Sequence, residues 1–145
     1  MQPYPHLYTA SASGRRAGNI AVTSPHLPEI ATAPPAEFDG PGDAWSPETL
    51  LCASVADCFI LTFRAIALAS KLEWIDLRCR VEGVVERADG VTQFTQYTTY
   101  ATLEIPLAVD AAKARTLLEK AERLCLVANS LRGTRALVAE VVNRP

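Results

Sequence analysis

The chain has 145 residues, of which 49% are hydrophobic and 21% charged. That is the size and composition of one folded domain with one core, and it argues against disorder. Lys and Arg total 14 against 16 Asp and Glu, a formal charge of -2, which excludes the basic footprint of a nucleic-acid binder. Four cysteines are too few for a disulfide scaffold. Met1-Gln2-Pro3-Tyr4-Pro5-His6 has neither the charged start nor the apolar run of a signal peptide. Asp57 and Arg64 interrupt the longest apolar stretch, which is not read as a membrane span. The expectation is a cytoplasmic protein with reduced thiols that engages neither nucleic acid nor membrane.

Residues 7–23 read as an N-terminal hairpin, with Gly14-Arg15-Arg16-Ala17-Gly18 as its turn. Residues 24–46 carry Pro25, Pro28, Pro34, Pro35 and Pro41, together with Gly40 and Gly42. Such a density of fixed φ angles and missing donors forbids a continuous helix or a central strand. An edge strand around residues 29–32 is compatible with it.

Ser46 is a good N-cap, Pro47 suits the first helical position, and Glu48 favours the positive end of the helix dipole. No Gly or Pro follows until after Lys71, so a helix is expected over 47–71. Leu50, Leu51, Val55, Phe59, Ile60, Phe63 and Ile66 make it apolar on almost every side. A helix apolar all round is buried all round, so this one is expected at the centre, covered by a sheet and by something further, such as a second subunit.

Residues 74–105 alternate as two strands, with Ile75, Leu77, Cys79, Val81, Gly83 and Val85 on the apolar face of the first. Asp89-Gly90 is the hairpin turn between them. An amphipathic helix is expected over 109–124, a short helix after Cys125, and a last strand over 136–142. The fold class is α+β, an antiparallel sheet with a buried central helix.

Thiols are the chemistry available. No pair among Cys52, Cys58, Cys79 and Cys125 has C-x-x-C spacing, and His6 and His26 stand apart from them, so no metal site and no cofactor is expected. Cys52 and Cys79 read as small buried hydrophobes, and so does Cys58 taken alone. A reactive Cys58 would have to be a thiolate, which burial opposes. A cation must then compensate. The Gly14-Arg15-Arg16 turn offers one, and Glu48 could orient it through a bidentate pair.

Three motifs in order resemble the OsmC/Ohr superfamily, the osmotically inducible and organic-hydroperoxide-resistance proteins. Pro47-Glu48-Thr49-Leu50 followed by Cys58-Phe59 is similar to that family's Pro-Glu-x-Leu and Cys-Phe. Cys125-Leu126-Val127-Ala128-Asn129 is similar to its Cys-Pro-x-Ser-Asn. Tyr8-Thr9-Ala10 with the Gly14–Gly18 turn is similar to its Tyr-Thr-Ala and Gly-Gly-Arg-x-Gly. The resemblance spans most of the chain. It implies an OsmC-like intertwined homodimer and a thiol peroxidase that reduces alkyl or fatty-acid hydroperoxides. It assigns Cys58 as the attacking cysteine, Cys125 as the resolving one, and Glu48 as the carboxylate that pairs with the active-site arginine. Alignment on Gly18 favours Arg16 for that arginine, with Arg15 as second choice.

A Cys58–Cys125 disulfide recycled by an external dithiol, a dihydrolipoyl protein in related members, follows from the same resemblance. Leu51, Phe59 and Phe63 would line a hydrophobic mouth. Three positions depart from the family pattern: Asp57, Leu126 and Ala128. Ten residues of helix rise about 15 Å, so Glu48 and Cys58 share a site only through a long Arg or through a partner subunit. The alternative is a non-catalytic protein on the same fold that senses redox state or binds apolar ligands.

Overall fold

The computed structural model describes all of residues 1–145. The chain divides into two compact units, Met1–Leu50 and Leu51–Pro145.

The first unit is a small antiparallel sheet of β1 (Ser11–Ser13), β2 (Ile20–Thr23) and β3 (Ile30–Thr32) in sequence order. Ser13 faces Ala21 and Val22 faces Ile30. The Pro-rich segment therefore supplies β3, the edge strand anticipated there, and then one 3-10 turn at Ala36–Phe38. Gly40 is obligatory in this turn, since a Cβ there would sit 1.7 Å from the Pro34 carbonyl oxygen. Within residues 1–50 only Thr32, Ala33 and Ser46 are buried, which is far too little for a self-sufficient core.

Helix α1 runs Pro47–Ala69. Ser46 caps it reciprocally with Thr49: the Thr49 amide donates to Ser46 Oγ at 3.1 Å, and the Ser46 amide donates to Thr49 Oγ1 at 2.9 Å. This is a capping box with Thr in the place of Glu. The helix ends two residues short of Lys71 because Lys71 itself takes the left-handed conformation, φ 52°. The Leu72 amide then closes back on the Ala67 carbonyl at 2.9 Å, the hydrogen-bonding habit of a helix C-terminus that usually employs Gly.

The second unit is a three-stranded sheet, β4 (Asp76–Ala88), β5 (Val91–Pro106) and β6 (Thr134–Arg144), in that order, with α2 (Ala111–Leu124) and α3 (Leu126–Asn129) between β5 and β6. β4 and β5 form the expected hairpin, and Asp89 and Gly90 both have positive φ, 51° and 78°, as a two-residue turn of this kind demands. α2 starts at Ala111 because Asp110 is its N-cap, accepting from the Ala112 amide at 2.8 Å. Arg78 and Arg144 converge on Glu104 at 3.0 Å each, so one carboxylate ties the three strands together.

Two expectations need correction. The sheet is mixed rather than antiparallel: β6 runs parallel to β5, with Gln96 opposite Thr134 and Glu104 opposite Val142. A helical crossover between two strands of one sheet permits that direction where a tight hairpin does not. Val85 is exposed rather than inward, and beside it the register shifts, with Thr95 of β5 as the extra residue.

α1 packs one face into the core of the single chain and leaves one stripe open. Phe59, Phe63, Ile66 and Ala67 pack with Leu77, Leu103, Ile105 and Leu118 in the main core, and Phe63 meets Trp74 edge to face at 5.6 Å. Asp57, Leu61, Arg64, Ala65 and Leu68 are exposed, and helical spacing puts them on one stripe. α1 is long and apolar enough to cross a membrane by length and composition, but its buried face is that of a core helix.

Candidate active site

Cys125 stands at the break between α2 and α3, in extended conformation with φ -62° and ψ 105°. It is 1% exposed, and its thiol donates toward the Val55 carbonyl of α1 at 3.9 Å. Cys58 lies one turn further along α1, half-buried, with its sulfur 3.9 Å from Thr62 Oγ1. The two cysteines share one small apolar cluster with Val55, Val81, Ala128, Val127 and Leu131. All four cysteines are free thiols.

Burial is the main reason the Cys125 thiol is pushed up to about 11. The Ala128 amide opposes this by favouring the thiolate. The Cys58 sulfur adds to the rise, both as a hydrogen-bonding neighbour and as a charge, while the Arg135 guanidinium counters it. The Cys58 and Cys125 thiols are thus neighbours in one cluster.

Leu126 occupies the first helical position of α3, where the family motif has Pro. The amide there has no intrahelical partner in any case, so either residue fits the backbone. Asp57 is exposed, and water screens its charge.

A third thiol belongs to this neighbourhood. Cys79 is raised to about 11, first by burial and then by the charge of Cys125. The signal was present in the sequence, since Cys79 shares an alternating strand face with Val81, but its apolar setting favoured a purely packing role. Cys52 is raised by burial, with the Gly83 backbone opposing.

The other anticipated site residues are distributed differently. Phe59 and Phe63 are 1% and 0% exposed and belong to the main core rather than to a mouth, because their i, i+4 spacing puts them on the face that meets the sheet. Leu51 is half-buried. Within the first unit, Glu48 borders an apolar cavity of about 380 Å³ with Ile20, Val22, Pro34 and Phe38. Its Oε2 is buried without a hydrogen-bond partner. Arg15 borders a second cavity of about 390 Å³ with Ser13, Gly14, Ala17 and Asn19. Arg16 is exposed on the same turn.

Sequence reasoning passed over Arg135 and Glu122, which with Asn129 hold the Cys125 corner. Arg135, the second residue of β6, donates from Nε to Glu122 Oε1 at 2.7 Å and from Nη1 to Asn129 Oδ1 at 2.6 Å. Its Nη2 donates to the Glu122 carbonyl. Asn129 Nδ2 donates to the Arg123 carbonyl at 3.2 Å. A lone Arg at the start of a strand carries no sequence signal for such a role.

Comparison with known proteins gives concordant results. The family model described as OsmC-like protein matches residues 40–138. The uncharacterized protein YmaD of Bacillus subtilis (strain 168) is 33% identical over 111 residues, covering 73% of this chain and 73% of that protein. An organic hydroperoxide resistance protein of Xanthomonas axonopodis pv. citri (strain 306) is 33% identical over 132 residues, covering 88% and 89%. Among solved structures, an organic hydroperoxide resistance protein OsmC from Legionella pneumophila superimposes with a TM-score of 0.76 at 26% identity, over 97% of this chain and 99% of that one.

Proposed function

Starting from the fact that the chain belongs to the OsmC-like protein family, we propose that it is a thiol peroxidase acting in organic-hydroperoxide resistance. The observation that carries this reading is the meeting of Cys58 and Cys125 in one apolar cluster. Two thiols so placed, with no metal or cofactor needed, have the chemistry of a sulfenic acid and its resolution.

The Cys58 thiolate attacks the outer oxygen of the hydroperoxide. An S–O bond forms, the O–O bond breaks, and the alcohol leaves after taking a proton. Cys58 is then a sulfenic acid. Cys125 condenses with it, releasing water and giving the disulfide. An external dithiol, for which a dihydrolipoyl protein is the proposed donor, returns both thiols by exchange. Alkyl and fatty-acid hydroperoxides are the proposed substrates, since an apolar surround favours them over hydrogen peroxide.

Arg16 is the proposed thiolate-stabilising cation, with Arg15 as the alternative. Glu48 is its proposed carboxylate partner, since a buried carboxylate oxygen without a partner is costly until a donor reaches it. A homodimer is proposed as the working form. The exposed Leu61 and Leu68 on α1 and the sparse burial of residues 1–50 both leave apolar surface for a second copy.

A second reading is redox sensing without turnover. It is favoured by the raised Cys125 thiol, which slows resolution. Peroxide consumption with a dihydrolipoyl donor separates the two. Wild type should turn over, Cys58→Ser should be inactive, and Cys125→Ser should stall after one oxidation. Sustained consumption by Cys58→Ser would refute the proposal, and a wild type that oxidises once and stops would favour sensing. Arg16→Ala should slow Cys58 alkylation at neutral pH more than Arg15→Ala, and the reverse order would reassign the cation.

A further inference from the structure

We propose that Arg135 is a positioning residue for the resolving step: its guanidinium pins the α2–α3 corner so that Cys125 stays aimed at Cys58. This rests on the reading of Cys58 and Cys125 as a redox pair, and it adds a residue that the three family motifs do not contain.

A helix that stops leaves its last carbonyls without amide partners. At the end of α2, two of these are satisfied by side chains: the Glu122 carbonyl by Arg135 Nη2 and the Arg123 carbonyl by Asn129 Nδ2. Arg135 also holds the Glu122 carboxylate at 2.7 Å and the Asn129 side-chain oxygen at 2.6 Å. Glu122 precedes Cys125 and Asn129 follows it, and the Asn129 amide donates to the Cys125 carbonyl at 2.9 Å. One guanidinium therefore grips the chain on both sides of the thiol.

Its anchor is firm. Arg135 lies in β6 opposite Tyr97 of the middle strand, and Tyr97 is buried. The Arg135 and Glu122 side chains are only 24% and 20% exposed. A planar fork engaging three acceptors, partly out of water, is unlike a loose surface ion pair. The charge has a second consequence, since it is the cation that favours the Cys125 thiolate against burial.

The step served is a ring closure. The Cys125 sulfur attacks the sulfenic sulfur of Cys58, forming S–S and breaking S–O. The departing hydroxide takes the Cys125 proton and leaves as water, so no further oxidant is consumed. Disulfide geometry tolerates little error in the approach of the two Cβ atoms. A corner free to swing would lose rate in this step alone.

The test separates the two steps in wild type, Arg135→Gln, Arg135→Lys and Asn129→Ala, each verified as folded by circular dichroism. One equivalent of cumene hydroperoxide is added, and peroxide loss and disulfide formation are followed separately by rapid quench. The expected result for Arg135→Gln is unchanged peroxide loss, with disulfide closure slower by about ten- to a hundred-fold and Cys58 sulfenic acid accumulating. Arg135→Lys, which keeps the charge without the fork, should stay slow, and Asn129→Ala should be slowed in the same step.

Closure at the wild-type rate in Arg135→Gln, or equal slowing of both steps, would overturn the inference. If Arg135→Gln does not fold, Asn129→Ala decides on the same criteria. Closure driven by diamide is measured in parallel. A wild type that closes with diamide but ignores the hydroperoxide sinks the peroxidase reading, while the diamide comparison still decides the role of Arg135.

Discussion

Burial pushes the Cys125 thiol well above its ordinary value, so at neutral pH the thiolate is a small minority there. The thiolate is the attacking form. Disulfide closure after a single oxidation should therefore rise by about ten-fold per pH unit between about pH 6 and 9, read by quench and mass spectrometry. A pH-independent closure rate would show that attack does not proceed through the Cys125 thiolate. Gly83 is a second residue whose identity is dictated by its surroundings. A Cβ there would lie 2.6 Å from Phe94 Cε1 and 3.0 Å from Cys52 Sγ. Gly83→Ala should lose about 1–3 kcal/mol in urea unfolding, and an unchanged midpoint would mean that the strand moves aside at no cost. Neither Gly83 nor Arg135 could be found from sequence, because each is defined by groups from another element.

Among the elements, local chemistry was the readable part. Ser46-Pro47 marked the start of α1, Asp89-Gly90 marked the hairpin, and alternation marked β4 up to Gly83. The failures all came from tertiary structure. The register shift beside Val85, the parallel direction of β6 and the core position of Phe59 and Phe63 depend on which strand or helix lies opposite. The composition of α1 called for cover beyond one sheet, and in the single chain one stripe is open, with Leu61 at 50% and Leu68 at 81% exposure. If that stripe meets a second copy, wild type should sediment as a dimer and the Leu61→Lys, Leu68→Lys double variant as a monomer. Both positions face solvent in the single chain, so the variant should keep its helical circular dichroism. A monomeric wild type would contradict the proposed dimer.

For the whole molecule, the thiol cluster sets an alkaline limit. Cys79 and Cys125 sit at about 11 when folded, against about 8.5 in an unfolded chain. A folded-state value above the unfolded one means that the unfolded chain loses its protons first as pH rises. The stability is intact below about pH 8.5 and is lost progressively up to about pH 11. The melting temperature should fall across that window, and Cys79→Ala should fall less steeply; equal slopes would show that Cys79 does not contribute. One linkage between two sulfurs underlies the proposed chemistry. Intact mass and peptide mapping after one equivalent of cumene hydroperoxide test it most directly. The account predicts a loss of about 2 Da and a linked pair of peptides carrying Cys58 and Cys125. An unchanged mass, or a disulfide that leaves Cys58 out, would contradict it.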